Sequence, residues 1–446
     1  MLIRENYTYY LKRYLVVGFP ILLNSLSPIF MAVADNAMVG YLGEEVRAAA
    51  EFVNIITGTA FLLLIGISSV LMPLVAGALV LRDYEKATNS LKYSVLVNIF
   101  CASVCVVILA IIFNFLDYMG MDKGVVALAR GGYFQIITSS ILINAFYQPL
   151  KRYLVGLGFR FLNTFLSFLG AFLNVCLNYI LIEGHYGIPA LGLNGAGLAT
   201  LLSRFMIMLI YIFIAWRFRK RGYITASWLG EWDQRAFMKM LKLGLPSGFE
   251  LSMRMIYLSF INVMIGWIGA MQQSSASILF AFVRLGVMLP LALSIVGSIL
   301  LSQELKKNHK KGIPILRRTA YGLTLSLMLV CSLLLYKFFP LILDSVFQPE
   351  KQVNALVTSL IGMAILVQFM DGLSFIATGF LRGIQDTFVP FLITTFVWLL
   401  IGLPLSYYFA FYLNQLLYGI FKGIVIGSFF SAILLYMRFS EKIKEF

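Results

Sequence analysis

Apolar runs long enough to cross a bilayer recur along the whole chain, and nothing constrains its fold more. A spanning helix needs about 20 consecutive, mostly apolar residues. Twelve such runs can be read, at 14–40, 47–76, 88–113, 126–150, 160–183, 190–216, 237–264, 275–300, 317–339, 353–381, 386–412 and 415–437. The backbone inside lipid must satisfy its own hydrogen bonds, so these runs must be helices or strands of a closed barrel. The short alternating segments of a barrel are absent. The expected fold class is therefore an all-α integral membrane protein of twelve transmembrane helices. Composition agrees: 60% of the residues are hydrophobic and 12% are charged, against about a quarter charged in soluble domains.

The net charge of +15 invites a nucleic-acid reading, and the placement of the charges removes it. Of 35 Lys and Arg, 26 fall in the tails and in alternate loops with the span ends that flank them, 5 in the opposite loops and their span ends, and 4 deeper within spans. Basic loops mark the cytoplasmic side. A multi-pass protein of the cell (inner) membrane is expected, with both termini cytoplasmic and its basic face against anionic lipid heads. Cys101, Cys105, Cys176 and Cys331 lie in apolar runs with no CxxC, and neither they nor His185 and His309 suggest a metal site. No metal and no cofactor other than a coupling ion is expected, and no nucleotide loop or catalytic constellation stands out.

The two halves of the chain resemble each other. "LVVGFPILLNSLSPIFMAVADNAMVGYLG" aligns with "LKLGLPSGFELSMRMIYLSFINVMIGWIG", placing Gly18, Pro20, Gly40 and Gly43 on Gly244, Pro246, Gly266 and Gly269. A second echo pairs "YLVGLGF" with "FLRGIQD". Each half holds six spans, so both copies enter the membrane in the same direction. The expected organisation is an N-lobe (1–220), a cytoplasmic linker (221–236) and a C-lobe (237–446), related by a parallel pseudo-two-fold repeat. Repeats of this kind enclose a central path in secondary transporters.

Intramembrane acids mark functional sites by default. Asp35, Glu250 and Asp371 lie deep in spans. Burial disfavours the charged form of a carboxyl, so such groups can bind a proton or a sodium ion. Asp35 has no base within a turn. Glu250 has Arg254 one turn on, so it either binds an ion or is neutralised by that arginine. Asn174 and Asn178 stand one turn apart on span 5 and Thr200 on span 6. They either glue the bundle or converge on Asp35 as an oxygen-rich pocket. Four bases also lie within spans. Snorkelling accounts for bases near helix ends; Arg254 and Arg284 are too central for it. They either pair with Glu250 and Asp371 or line an electropositive substrate cavity. Pro20, Pro28 and Pro246 loosen the first helix of each half and are candidate hinges.

The chain resembles the MATE (multidrug and toxic compound extrusion) family, in its NorM-like branch, over nearly its whole length. The resemblance rests on "DNAMVGYLG", "NYILIEGHYGIPALGLNGAGLAT", "GLPSGFE" and "GFLRGIQDTFVPF". It implies two six-helix lobes that export small organic compounds by proton- or sodium-coupled antiport with alternating access. Family cation-site positions match Asp35, Asn174, Asn178 and Thr200 in the N-lobe, and Glu250 and Asp371 in the C-lobe. Many relatives carry an acid where this chain has Asn178, and the segment 77–86 lacks the usual glycine-rich turn. Arg254 and Arg284 depart from the small, polar or apolar residues expected there and point to anionic or zwitterionic substrates. The expected partners are a small-molecule substrate and membrane lipid, with no nucleic acid, and the chain is expected to act as a monomer. A lipid-linked precursor flippase of the same superfamily is the alternative reading.

Overall fold

The computed structural model describes residues 7–118, 123–343 and 351–445. Among these, twelve helices are long and apolar enough to cross a membrane: α1 (Tyr7–Gly40), α2 (Glu44–Val80), α3 (Tyr84–Asn114), α4 (Lys123–Leu157), α5 (Arg160–Glu183), α6 (Gly192–Lys220), α7 (Gln234–Ile268), α8 (Ala270–Lys306), α9 (Gly312–Pro340), α10 (Lys351–Gly383), α11 (Phe388–Tyr412) and α12 (Leu416–Glu445). Large apolar side chains stay exposed along them, as with Phe100, Val107 and Ile111 on α3 and Leu329, Leu333 and Tyr336 on α9. Apolar side chains that face out from a spanning helix suit lipid, which is itself apolar.

The backbone repeats what the sequence repeats. Positive φ angles fall at matched positions: Gly43 and Gly269, Arg82 and Asn308, Gly158 and Gln385, Gly187 and Asn414. A residue with positive φ marks a turn that only a few chain paths allow, so four matched pairs show two copies of one helix-and-turn plan.

The chain packs as two compact units, Leu23–Ser252, and Met1–Leu22 together with Met253–Phe446. The expected lobes divide at the linker, whereas these units divide inside α1 and inside α7. Residues 1–6, 119–122, 344–350 and 446 of those lobes lie outside the described residues. In the Leu23–Ser252 unit, α2 is the most deeply buried span, and Leu64, Ile67, Leu71, Leu91, Phe134 and Tyr153 form the heart of the core. The start of α7 belongs to this unit. A Cβ on Gly248 would lie 2.7 Å from the Leu63 carbonyl oxygen, and one on Gly244 would lie 3.0 Å from Ile67. Ser69 and Ser247 share a hydrogen bond of 3.1 Å, and Ser252 donates to the Thr59 carbonyl at 3.1 Å.

The linker is held by the same unit. Lys92 donates to the Gly230 carbonyl at 2.7 Å, and the Asp233 amide donates to Tyr93 at 2.6 Å. Asp233 in turn accepts from the Arg235 and Ala236 amides at 2.8 and 3.1 Å, which caps α7.

In the other unit, Ile261, Leu279, Val357, Leu360, Ile420 and Phe421 centre the core. The start of α1 packs on α8 here: a Cβ on Gly18 would meet Val296 at 3.4 Å and Leu293 at 3.8 Å. Gly18 repeats as Gly244, and Ile67 as Leu293. The same glycine contact is thus made once in each unit, each time by the first helix of the opposite repeat.

Candidate functional site

Asp35 stands on α1 seven residues after Pro28, and α1 runs unbroken through Pro20 and Pro28. The amide of Asn178 on α5 donates to Asp35 Oδ1 at 2.5 Å and lies 3.3 Å from Asn174 Oδ1. Asn174 Nδ2 reaches Thr200 Oγ1 at 3.4 Å, and that hydroxyl donates to the Ala196 carbonyl at 3.1 Å. Asn174 and Asn178 are fully buried. The one-turn spacing on α5 puts both amides on one face, and α6 brings the hydroxyl to the far end. The fold therefore gathers Asp35, Asn174, Asn178 and Thr200 into one hydrogen-bonded row. Asn178 Oδ1 is buried there without a hydrogen-bond partner.

A cavity of about 120 Å³ opens beside the carboxylate, lined among others by Asn54, Thr57, Tyr133, Thr200 and Arg204, with Arg47 at its wall. Gly132, at φ 122°, sits in a π-turn over Ala129–Tyr133 that precedes the regular part of α4. Asn194 packs against this turn, donating to the Gly131 carbonyl at 2.8 Å. A π-turn re-aims the side chains beside it, and here Tyr133 faces the cavity.

Arg204 is the residue that sequence reasoning missed. Twelve residues into α6, it donates to Ser140 Oγ at 2.5 Å and lies 4.2 Å over the Phe61 ring. A guanidinium held by a hydroxyl and an aromatic face inside a cavity is not snorkelling. Its depth in span 6 was the available signal. What stayed hidden was the partner face on α4 and α2, because no local spacing links Ser140 or Phe61 to Arg204.

The second group of intramembrane charges lies in the other unit. Asp371 on α10 pairs with Arg254 of α7 through Oδ2, and Oδ1 accepts from Ser428 on α12 at 2.8 Å. Arg254 is also 4.5 Å from the Phe375 ring and 5.2 Å from that of Trp398. Tyr257 stacks on Trp398 at 6.0 Å between ring centres. Arg254 is thus engaged by Asp371 of another helix. Glu250, 5% exposed, belongs to the Leu23–Ser252 unit. Arg284 is exposed on α8. No group of three or more His, Cys, Asp or Glu that could hold a metal occurs among the described residues.

Twelve spanning helices built as two parallel copies, with buried charges in each, are the architecture of a membrane transporter. Comparison with known proteins agrees. The MatE family model matches residues 20–180 and again 246–408, one copy in each half. The chain belongs to the MatE family, whose members are transporters and not enzymes.

A probable multidrug resistance protein NorM from Agrobacterium fabrum is 27% identical over 445 residues, covering 97% of this chain and 94% of that protein. One from Bacillus cereus is 27% identical over 443 residues, covering 96% and 94%. Among solved structures, a MOP-superfamily transporter from Pyrococcus furiosus, described as having a binding pocket of reverse polarity, superposes with a TM-score of 0.87. It is 21% identical and covers 98% of this chain and 96% of that chain. An outward-facing MATE-family multidrug resistance transporter gives a TM-score of 0.87 at 20% identity, with the same coverage. These likenesses extend over essentially the whole chain and establish its fold.

Proposed function

We propose that this chain is a proton-coupled exporter of small organic compounds that works by alternating access, with Asp35 as the proton-binding group. The observation that carries the reading is the row Asp35–Asn178–Asn174–Thr200 beside a cavity that also holds Arg204. A hard cation such as sodium needs several oxygens directed at one point. Here the amide of Asn178 spends a donor on the carboxylate, and two guanidiniums line the same space. A proton needs only one carboxylate oxygen, and its arrival cancels the charge that holds the donors. The coupled states then differ in how Asp35 binds Asn178. A ligand moves the equilibrium only through such a difference in affinity.

In the other unit, Asp371 compensates Arg254. A zwitterion can replace both partners, its carboxylate on Arg254 and its cationic group on Asp371, with Phe375 and Trp398 as the aromatic walls. Exposed Arg284 and the cavity arginines Arg204 and Arg47 favour a substrate with negative charge. The names of the relatives suggest multidrug export. The basic loops support a cytoplasmic placement of both termini in a cell (inner) membrane, and the chain is read as a monomer. Glu250 is retained as an ion-binding candidate of α7.

The deciding experiment reconstitutes the purified protein in liposomes and imposes a pH or a sodium gradient, with cationic, anionic and zwitterionic substrates in turn. The expected outcome is export driven by the pH gradient, insensitive to sodium and abolished in Asp35→Asn. Sodium-driven export by the wild type, or full activity of Asp35→Asn, overturns the reading.

A further inference from the structure

The turn between α8 and α9 carries a feature that neither the ion site nor the substrate path uses. The same turn occurs in the first repeat, which supplies an internal control. His309 N donates to the Glu304 carbonyl at 3.1 Å, as Asp83 N donates to that of Ala78 at 3.0 Å. Asn308 N donates to the Leu305 carbonyl at 3.1 Å, as Arg82 N donates to that of Leu79 at 3.1 Å. Both central residues, Asn308 and Arg82, have positive φ. The backbone is one design, and the charge is not. Leu81-Arg82-Asp83-Tyr84-Glu85 in the first copy becomes Lys307-Asn308-His309-Lys310-Lys311 in the second.

The side chains follow the charge. Asp83 caps α3 by accepting from the Lys86 amide at 2.9 Å. Its counterpart His309 turns inward instead, with Nδ1 2.9 Å from Glu304 Oε2. Glu304 is nearly fully buried. It takes Arg13 at 2.8 Å, Lys307 at 3.6 Å and the Tyr10 hydroxyl at 3.2 Å. Glu304 is therefore spent on the start of α1 and on its own turn. Lys306 and Lys310 are exposed and carry no ion pair among the described residues.

These two lysines and His309 line a cavity of about 340 Å³, together with Ser302 on α8 and with Gly383 and Gln385 at the end of α10, and no acid lies in its wall. Small-molecule sites fall in the range of about 300–1,000 Å³. The cavity lies at the basic ends of the helices, which face the cytoplasmic leaflet in the proposed orientation. Basic pockets there attract anionic head groups.

We propose that this turn is a phosphate-binding site, filled in the membrane by the head group of an anionic phospholipid and held by Lys306 and Lys310. The bound phosphate also lies beside His309, which through Glu304 reaches Arg13 and Tyr10 on the first turns of α1. That is the segment packed in this unit although it belongs to the first repeat, so lipid occupancy stabilises its seat.

The test titrates the full-length protein in detergent with short-chain phosphatidylglycerol, phosphatidylcholine and soluble glycerol phosphate, reading bound lipid by native mass spectrometry. Phosphatidylglycerol is expected to bind more tightly than phosphatidylcholine. Lys306→Gln and Lys310→Gln should each weaken it roughly fivefold, and roughly thirtyfold together. Arg82→Gln with Lys86→Gln, in the matched turn of the first repeat, should leave it unchanged. Equal affinity in the Lys306, Lys310 double variant overturns the site, as does an equal loss in the control pair. Glycerol phosphate binding as tightly as the lipid overturns the membrane source and keeps the phosphate chemistry. Melting curves of each variant show that it is folded, and the readout does not depend on transport, so failure here leaves the proposed export reading separately testable.

Discussion

Asp35 and Arg204 share one cavity, and their roles separate under substitution. Arg204→Leu removes a fixed positive charge and leaves the Asp35 carboxyl and its amide row in place. It is expected to let sodium stimulate export that the wild type drives with protons alone. The check is transport in liposomes with sodium on one side only. Asn178→Asp adds a carboxylate beside Asp35 and should push in the same direction, because two carboxylates supply the oxygens a hard cation needs. In the other unit, Asp371→Ala leaves the Arg254 guanidinium without its carboxylate. Losing one partner of a buried pair costs roughly 3 kcal/mol, toward the low end because Arg254 is about a fifth exposed. The double variant Arg254→Ala, Asp371→Ala should cost less than the two single changes added together. Thermal melting of the purified variants reads this coupling. At this scale the grouping of Asp35, Asn174, Asn178 and Thr200 was legible, since burial of an acid marks Asp35, one-turn spacing pairs Asn174 with Asn178, and the family resemblance joins all four. Arg204 was legible as a charge and illegible as a cavity residue, because Ser140 and Phe61 come from other helices.

Helices in lipid gain little from the hydrophobic effect when they meet, so close approach through small residues decides which faces pair. Gly66 on α2 shows this within the Leu23–Ser252 unit: a Cβ there would stand 2.6 Å from the Gly248 backbone on α7. Gly66→Ala is expected to cost about 1–3 kcal/mol through overpacking. Gly58→Ala, on the same helix with nothing within 4 Å of the added carbon, should be neutral or stabilising by about 0.5–1 kcal/mol. Unfolding midpoints of the two variants in one detergent make the comparison. The apolar runs marked twelve spans, yet they did not show the turns inside them. The π-turns at Ala129–Tyr133 and at Val397–Gly402 lie within apolar stretches that read as plain helix. Hydropathy reports only that a segment suits lipid. A π-turn depends on which neighbour the widened turn must reach, here Asn194 for the first.

Across the molecule, the repeat and the packing divide the chain differently. Each first helix begins in the unit formed by the opposite repeat, and the changeover on α1 falls two residues after Pro20. Proline removes one backbone hydrogen bond and lowers the cost of bending at that point. Pro20→Ala and Pro246→Ala are therefore expected to slow turnover with little change in substrate affinity. Transport rates and equilibrium substrate binding, measured on the same preparations, separate the two effects. By itself the sequence determined that the chain is a membrane protein of twelve helices in two parallel copies, and it marked the acids and prolines, because hydropathy, charge and repetition are properties of the chain in order. Only the tertiary structure decided that Arg254 meets Asp371, that Arg204 shares the cavity of Asp35, and that the starts of α1 and α7 pack with the other repeat. Those choices depend on contacts between residues far apart in the chain, where shape and charge must match across helices and no local pattern records the match.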